Sequence, residues 1–514
     1  MRKKRILWAD DEIDILRSHI LFLQEKGYEV TPVNSGQDAI DSFKEEVFDM
    51  VFLDENMPGL TGLEALSSIK EINPNVPVIM ITKSEDEGIM TDAIGKKIAD
   101  YLIKPVNPNQ ILLSIKKNLH KDDIVSEATL EGYREEFAKI GARLNDSLSY
   151  KEWIDIYKKL IYWEMELTAS QSPLLDLIKV QIDEANNGFG KFVKYNYEDW
   201  VYGAEEKPLM SPEVFREKIF PLLDEGEKVF FILIDNFRLD QWWEVKDLLA
   251  GDFVITENEY FSILPTATQY ARNAIFSGLM PSEIAKKYPD LWVDEEEEES
   301  KNQNEELLLQ QLLERHNKDY SFSYNKLVSS SAGGRLIQSM NNLKNNQLNV
   351  IVINFVDMLS HARTESKMIR ELASDEAAYR SLTRSWFKHS STMEIIKKAA
   401  EMKYKIILTT DHGTIRVKSA LKVIGDKSIN SNIRYKVGRN IEYDRKKVYD
   451  IHSPEKFGLP APNISTKYIF ATGNDFFAYP NNYNHYVSYY TDTFQHGGIS
   501  MEEMIVPIVT LAVK

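Results

Sequence analysis

The chain contains no cysteine, and this absence limits its chemistry. Without cysteine there is neither a disulfide framework nor a thiolate ligand for a metal ion. Any transition metal must therefore be held by histidine, aspartate or glutamate. Histidine is scarce as well, with 9 residues among 514, yet one of them, His412, directly follows an aspartate at the end of an apolar run.

Long apolar runs are also missing. No stretch approaches the 18 apolar residues of a membrane-spanning helix, and the N-terminal segment lacks the apolar core of a signal peptide. We therefore expect a cytoplasmic protein without membrane insertion. Basic charge is in deficit, with a formal net charge of −17. This balance argues against a broad basic surface for long nucleic acid, but not against a short phosphate-bearing ligand held by metal ions.

The periodicity of apolar residues changes twice along the chain. Residues 1–120 alternate strand and helix patterns, 121–205 carry helical periodicity, and 206–514 return to strand–helix alternation. This predicts an α/β multidomain protein: a doubly wound five-stranded parallel sheet, a helical-bundle linker and a second α/β domain. For the linker, a plain connecting bundle and a dimerisation or docking role both stay open.

Polar residues follow the apolar runs of the first part, at ends that should share one edge of the sheet. Asp10 and Asp11 follow the first run, Asp54 the third, Thr82 the fourth and Lys104 the fifth. Each alone is compatible with a helix cap or a surface position. Together they place three carboxylates, a hydroxyl and an ammonium group on one rim. This combination predicts a Mg²⁺ site beside a carboxylate that can accept a phosphoryl group.

The motifs of this part, "ADDE", "LDENMPGLTGLE", "MITKS" and "YLIKP", resemble the receiver domain of two-component response regulators. The resemblance implies a flavodoxin-like fold, a sensor histidine kinase as partner and a homodimer on phosphorylation. The bond between Lys104 and Pro105 is commonly cis in this family. The resemblance also implies residue roles: Asp54 as phosphoacceptor; Asp10, Asp11, Asp54 and the carbonyl of Asn56 around Mg²⁺; Thr82 and Tyr101 as switch pair; Lys104 at the acyl phosphate.

Three apolar runs in the third part lead to an aspartate. The run "FFILID" ends in Asp235, "VIVINFVD" in Asp357 and "IILTTD" in Asp411. Because the carboxyl ends of parallel strands meet at one edge, we expect these carboxylates to lie close together.

Three histidines accompany these aspartates. His361 comes four residues, one helical turn, after Asp357, so both can face one ion. His412 follows Asp411 directly, and His496 precedes a Gly-Gly pair and the last apolar run. Carboxylates and imidazoles in this number suit Zn²⁺ or Mn²⁺. The six residues together therefore predict a metal centre, although each alone is more often structural.

A nucleophile is expected between the first and second aspartate, in "LPTATQYARNAIFSGL". Thr266 and Thr268 both lie near the start of a predicted helix, where backbone N–H groups favour an anion. We assign the N-cap to Thr266 and the role of metal-bound nucleophile to Thr268.

The order Asp, Thr, Asp-x-x-x-His, Asp-His, His resembles the alkaline phosphatase superfamily. The stretches "IDNFRLDQW", "LPTATQ" and "HGGISMEEMIVP" are similar to the PglZ domain of that superfamily. A receiver, a helical linker and a PglZ domain in one chain are similar to response regulators tied to the type IX secretion system. The resemblance implies an alkaline-phosphatase-like fold that binds two Zn²⁺ ions, one through Asp235, Thr268, Asp411 and His412, the other through Asp357, His361 and His496.

The residue that binds the substrate phosphate is a departure from this resemblance. The sequence around Thr268 is similar to the threonine-nucleophile branch of the superfamily, which includes the nucleotide pyrophosphatases/phosphodiesterases. That branch usually has asparagine three residues after the nucleophile, where this chain has Ala271. Arg272 and Asn273 follow directly, and Arg238 lies just past the first aspartate. These three are the candidates for phosphate binding.

Two functions remain open at this point. The first is a response regulator with a zinc-dependent phosphodiesterase or phosphatase domain, acting on short or cyclic oligonucleotides and regulating type IX secretion. The alternative is a non-catalytic regulator whose zinc-bound C-terminal domain docks a protein partner such as a sigma factor. A docking module needs the metal ligands but no nucleophile, so Thr268 favours the enzyme.

Overall fold

The computed structural model describes residues 3–83, 98–119, 121–294, 302–425 and 430–514. The chain divides into two compact units, 1–132 and 133–514. The division of the sequence into 1–120, 121–205 and 206–514 stays a prediction. Among the described helices, none is both long and apolar enough to cross a membrane.

The first unit is a five-stranded sheet with helices on both faces. All neighbouring strands are parallel, in the order β2-β1-β3-β4-β5. The predicted doubly wound, flavodoxin-like sheet is therefore confirmed. Its strands are β1 Arg5–Ala9, β2 Glu29–Val33, β3 Met50–Asp54, β4 Val78–Thr82 and β5 Asp100–Ile103. The described helices are Arg17–Glu25, Gly36–Glu45, Gly62–Ile72, Pro108–Leu119 and Lys121–Arg143, the last of which continues into the second unit.

The predicted linker is helical, as expected from its periodicity. After Lys121–Arg143 come the helices Tyr150–Ala169 and Leu175–Val201. The helix Tyr150–Ala169 begins with a capping box, in which Ser149 accepts from the backbone N–H of Glu152 and the Glu152 carboxylate accepts from that of Ser149. Its apolar stripe joins the core of the second unit.

The second unit contains many short elements beside one large sheet. Its strands are β6 Val229–Ile234, β7 Phe253–Phe261, β8 Phe322–Leu327, β9 Leu348–Ile353, β10 Lys405–Thr409, β11 Ile415–Arg416, β12 Ser419–Lys422, β13 Ile424–Gly425, β14 Tyr435–Gly438, β15 Ile441–Glu442, β16 Tyr449–Ile451, β17 Lys467–Phe470, β18 Asp475–Ala478, β19 Phe494–Gln495 and β20 Ile505–Val513. Its further α-helices are Phe220–Asp224, Leu239–Val245, Asp247–Ala250, Thr268–Ser277, Pro281–Lys287, Glu305–Arg315, Ser330–Ser339, Phe355–Glu365, Lys367–Leu372, Glu376–His389, Ser391–Glu401, Tyr483–Tyr490 and Met501–Met504. Short 3₁₀ turns occupy Ser211–Glu213, Pro289–Leu291, Met340–Leu343 and Pro454–Phe457, and a π-turn occupies Phe215–Ile219.

The large sheet has six strands in the order β7-β20-β10-β6-β9-β8. Strands β8, β9, β6 and β10 are parallel, whereas β20 is antiparallel to both of its neighbours. The central strand β6 is buried along its whole length, which explains its unbroken run of apolar residues. Because β6 pairs with β9 on one side and β10 on the other, their three carboxyl ends adjoin. This edge carries the candidate site.

Candidate metal centres

The first cluster of potential metal ligands consists of Asp235, Asp411 and His412. Asp235 directly follows β6, and Asp411 lies two residues beyond the end of the neighbouring β10. All three residues are buried, and one ligand atom from each lies within 4.8 Å of the others. His412 places Nδ1 at 3.0 Å from the carbonyl oxygen of Gly413. Since a carbonyl can only accept a hydrogen bond, Nδ1 carries the proton and Nε2 offers its lone pair to the cluster.

A buried arginine offsets part of the negative charge of this first cluster. The Arg272 side chain is fully buried, and its Nε donates to Asp411 Oδ2 at 2.9 Å while Nη2 pairs with Asp235. Its Nη1 reaches Glu305, also buried, at 3.4 Å. The phosphate-binding role suggested for Arg272 is therefore wrong, because its guanidinium group is already committed to three buried carboxylates.

The arginine and the burial act on the two aspartates with different results. Burial raises the pKa of Asp235, and Arg272 only partly opposes this effect. Burial would likewise raise the pKa of Asp411, but Arg272 and His412 outweigh it, and the pKa of Asp411 is lowered. Asp411 is thus the more firmly ionised of the two.

The second cluster consists of Asp357, His361 and His496. His361 Nε2 lies 3.5 Å from Asp357 Oδ2, and His496 Nε2 lies 3.6 Å from Asp357 Oδ1. The predicted position of Asp357 at a strand end is wrong: β9 ends at Ile353, and Asp357 lies in the first turn of the following helix. Asp357 and His361 lie one turn apart on this helix, as predicted. The His361 side chain is 60% exposed, so this cluster opens to solvent.

Burial shapes the protonation of the second cluster. It raises the pKa of Asp357 to about 6. It also lowers the pKa of His496 well below its usual range, and the neighbouring histidines add to this effect. His496 Nδ1 lies 3.2 Å from the carbonyl oxygen of Thr266, which fixes the proton on Nδ1 and directs Nε2 inward. A neutral imidazole is the form that binds metals.

The two clusters adjoin, and Thr268 lies at the first. The rings of His412 and His496 stack with centroids 4.3 Å apart. The Thr268 hydroxyl lies 3.2 Å from His412 Nε2 and 3.4 Å from Asp235 Oδ1. Thr268 is the first residue of its helix, so the free N–H groups of that helix begin beside the clusters.

Thr266 does not have the role that the sequence suggested. The N-cap of the helix is Ala267, and no side chain caps it. The Thr266 hydroxyl instead donates to the carbonyl of Gly498 at 2.8 Å and accepts from the N–H of Gly497 at 3.1 Å. The N-cap assignment to Thr266 is therefore wrong, because its hydroxyl is taken up by the loop that follows His496.

The other two phosphate-binding candidates are both buried. Arg238 pairs through Nε and Nη2 with Asp240, at 2.8 and 2.6 Å, and through Nη2 with Glu376 at 2.6 Å. Its proposed phosphate contact is wrong for the same reason as that of Arg272. Asn273 lies in the helix of Thr268, where its Oδ1 is 3.5 Å from Asn302 Nδ2. Its role stays a prediction.

The donors of the two clusters fit a pair of Zn²⁺ ions. Each cluster offers three carboxylate or imidazole donors within 4.8 Å of one another, without any thiolate. The orientation of His412 and His496, fixed by backbone carbonyls, is the arrangement that commonly supports histidine ligands. Two further residues of the site could not be predicted from the sequence. Glu305, which pairs with Arg272, gives no local signal, and Asn236, whose amide donates to Asp357, is marked only by its position after Asp235.

A third cluster lies at the sheet edge of the first unit. Asp10, Asp11 and Asp54 offer one oxygen each within 4.8 Å of one another. Lys104 Nζ lies 2.8 Å from Asp10 Oδ2 and 2.9 Å from Asp54 Oδ1. Burial raises the pKa of Asp54, and the hydrogen bond from Lys104 opposes this effect. A site with only oxygen donors suits a hard cation such as Mg²⁺.

The remaining residues predicted for the first unit lie around this rim. Thr82 ends β4 and is buried, and its hydroxyl donates to Glu55. Tyr101 is half-buried on β5, and Asn56 is exposed in the loop after β3. The peptide bond between Lys104 and Pro105 is cis, as the resemblance implied.

Comparison with known families assigns all three parts of the chain. A family model described as the BREX system PglZ alkaline phosphatase-like domain matches residues 214–511, more than half of the chain. The chain therefore belongs to the PglZ alkaline phosphatase-like family. A response regulator receiver domain matches residues 6–116, and the PorX response regulator linker domain matches residues 123–201. The chain is thus a response regulator with a phosphatase-like C-terminal domain.

Individual relatives match less than half of this chain. The alginate biosynthesis transcriptional regulatory protein AlgB of Pseudomonas putida is 30% identical over 222 residues, 42% of this chain and 46% of that protein. The transcriptional regulatory protein ZraR of Escherichia coli O157:H7 is 32% identical over 140 residues, 26% of this chain and 31% of that protein. The chain thus spans less than half the length of these relatives. A CheY-like receiver domain from Methanospirillum hungatei is 29% identical, with a TM-score of 0.23, and covers 23% of this chain and 96% of that one.

Proposed function

We propose that this protein is a response regulator whose C-terminal domain is a zinc-dependent phosphodiesterase with Thr268 as nucleophile. The observation that carries the proposal is the position of the Thr268 hydroxyl. It lies within 3.4 Å of Asp235 and His412, at the junction of two ligand clusters. A domain that used its metals only for structure would not require a half-buried hydroxyl at this point.

The residues of the clusters have distinct parts in the reaction. Asp235, Thr268, Asp411 and His412 would hold one Zn²⁺ and Asp357, His361 and His496 the other, and the ions would supply positive charge for the attacking and leaving oxygens. The N–H groups at the start of the Thr268 helix favour the substrate phosphate. Arg272 pairs with the Oδ2 atoms of Asp235 and Asp411. The other oxygen of Asp235, Oδ1, lies beside the Thr268 hydroxyl.

The chemistry then proceeds through two displacements. Thr268 Oγ1 attacks phosphorus while its proton passes to Asp235 Oδ1, and the P–O bond to the leaving group breaks; the departing alkoxide takes that proton from Asp235 and leaves as the alcohol. The resulting phosphothreonine is hydrolysed by water, which restores the hydroxyl and releases the phosphate monoester. Splitting one difficult step into two is the advantage of such a nucleophile.

The wider setting is proposed from the family matches. Asp54 would accept phosphate from a sensor histidine kinase, with Mg²⁺ held by the Asp10, Asp11 and Asp54 cluster, and phosphorylation would promote a homodimer. Short or cyclic oligonucleotides are the proposed substrates, and the match to the PorX linker supports a place in type IX secretion. A cytoplasmic location and a sigma-factor partner stay predictions. Among the residues that the structure describes, no specific contact favours a docking module over an enzyme.

The test is hydrolysis of bis-p-nitrophenyl phosphate by the full chain, before and after removal and restoration of Zn²⁺. Thr268→Ala should lower the rate by about three orders of magnitude while both zinc ions stay bound. Thr268→Ser should keep part of the activity, because the hydroxyl remains. Thr472→Ala, a half-buried threonine elsewhere in the unit, should match the wild type. Equal rates for Thr268→Ala and wild type, with zinc retained, would falsify the enzyme and leave the docking module.

A further inference from the structure

Asn236 has an unusual backbone conformation at a critical place. It directly follows Asp235, and its φ is +62°. A non-glycine residue in the left-handed region carries a conformational cost that the surroundings must offset, and such residues concentrate at functional sites. Asn236 is also fully buried. Nothing about local chain direction requires asparagine here, because glycine adopts this conformation without the cost.

The contacts of Asn236 reach both ligand clusters. Its side-chain Nδ2 donates to Asp357 Oδ1 at 3.3 Å and to Ser360 Oγ at 3.2 Å. Its backbone N–H donates to Asp411 Oδ1 at 3.3 Å. Asp357 belongs to the second cluster and Asp411 to the first, so one residue contacts a carboxylate of each.

The left-handed turn explains how this bridge forms. In a continuing strand, neighbouring side chains point to opposite faces of the sheet. The change of direction at Asn236 ends that alternation directly after β6, so Asp235 joins the first cluster while the Asn236 amide reaches Asp357. Ser360 completes the arrangement, since its hydroxyl donates to the Asp357 carbonyl at 2.7 Å.

The side-chain oxygen of Asn236 is a further sign of specialisation. Within the part of the chain that the structure describes, Asn236 Oδ1 is buried and has no hydrogen-bond partner. An unsatisfied buried amide oxygen costs free energy, so a residue retained only for packing would not be expected to be an amide. The donor end of the amide, which contacts Asp357, is the part that is used.

We propose that Asn236 is a positioning residue that aligns the two metal clusters, with its amide holding Asp357 for the second cluster and its backbone N–H holding Asp411 for the first. The inference rests on the proposed function, because it concerns the placement of the zinc ligands. The two contacts have separate roles: the side-chain amide supports the second metal site, and the backbone N–H supports the first.

The deciding variant is Asn236→Gly, which accepts the left-handed backbone and keeps the N–H donor while removing the amide. Metal-free full-length protein is titrated with Zn²⁺ against a chromogenic zinc chelator. Wild type should bind two ions. Asn236→Gly should bind the first as wild type does and the second about tenfold more weakly, since loss of one contact to a ligand's support commonly costs this much. Asn317→Gly, at an exposed residue with φ +52°, is the matched control and should leave both affinities unchanged.

A second comparison identifies the site that is weakened. In His361→Ala, which already lacks a ligand of the second cluster, adding Asn236→Gly should change zinc binding no further. Equal affinity of Asn236→Gly and wild type for both ions would overturn the inference, and so would equal loss at both sites with a lower melting temperature of the metal-free protein. A wild type that binds two ions but hydrolyses no diester would overturn only the proposed function.

Discussion

The carboxylate rim of the first unit and the ligand clusters of the second both concentrate negative charge, and each offsets this charge with a different kind of cation. Both gather carboxylates at the carboxyl ends of parallel strands, and both place a cation among them. In the first unit the cation is Lys104, on a flexible stem and 13% exposed, bonded to Asp10 and Asp54. In the second unit it is Arg272, fully buried and bonded to Asp235 and Asp411.

This difference in the cation separates a mobile charge from a fixed one. A lysine ammonium can move toward an incoming phosphoryl group, because it is a compact charge at the end of a flexible four-carbon side chain. An arginine fork held by three carboxylates has no such freedom. The donors differ as well: oxygen alone in the first unit, oxygen and imidazole in the second. Sheet edges of the same kind are thereby suited to a transient phosphoryl switch in one unit and a lasting metal centre in the other.

The largest expected effect tests the switch side of the comparison. Acetyl phosphate and Mg²⁺ should add one phosphoryl group to the wild type, and Asp54→Ala should abolish this addition because the acceptor carboxylate is gone. Intact mass measures the addition, and light scattering measures dimer formation on the same samples. The control is Asp41→Ala, at an exposed carboxylate away from the rim. Undiminished phosphorylation or dimerisation of Asp54→Ala would mean that the rim is not the switch.

The next effect tests the fixed cation. Arg272→Met leaves Asp235, Asp411 and Glu305 buried without their shared partner, which should lower the free energy of unfolding by about 3–5 kcal/mol. Urea denaturation of the metal-free protein measures this loss. The matched control is Arg384→Met, whose pairing with Asp247 lies at the surface and should cost about 0–1 kcal/mol. If the two variants lose the same free energy, Arg272 is not holding the centre together.

The fold and the grouping of the potential metal ligands were largely predictable from the sequence, and the contacts that support those residues were not. Strand-end aspartates could be recognised because the parallel sheet brings the ends of its strands to one edge. The failures concern residues with at least one charged partner far away in the chain. Arg272 and Arg238 were expected to face a phosphate. Glu305, a partner of Arg272, lies 33 residues further on, and Glu376, which joins the nearby Asp240 at Arg238, lies 138 residues further on.

Thr266 shows that a distant partner can also overrule a rule based on neighbouring residues. Its position before a helix is typical of an N-cap, and local sequence alone supports that interpretation. The Gly497–Gly498 loop, more than 200 residues away in the chain, takes its hydroxyl instead. Local rules predict what a side chain is able to do, but tertiary contacts decide which of its options is used.

The smallest expected effect returns to Lys104. Because its ammonium group lies against the same carboxylates that would hold Mg²⁺, it competes with the ion for their negative charge. Lys104→Met should therefore raise Mg²⁺ affinity by about three- to tenfold, a change of about 1 kcal/mol, consistent with a partly solvated charge. Calorimetric titration of Mg²⁺ measures the shift, with Lys83→Met as control, since Lys83 is exposed and pairs only with Glu12 among the described residues.

The expected sign of the change in metal affinity distinguishes the two ways of balancing charge. A cation that competes with the metal raises metal affinity when it is removed, whereas one that orders the ligands, as Arg272 does, lowers it. If Lys104→Met weakens Mg²⁺ binding, Lys104 belongs with Arg272, and the contrast between a mobile and a fixed cation does not hold.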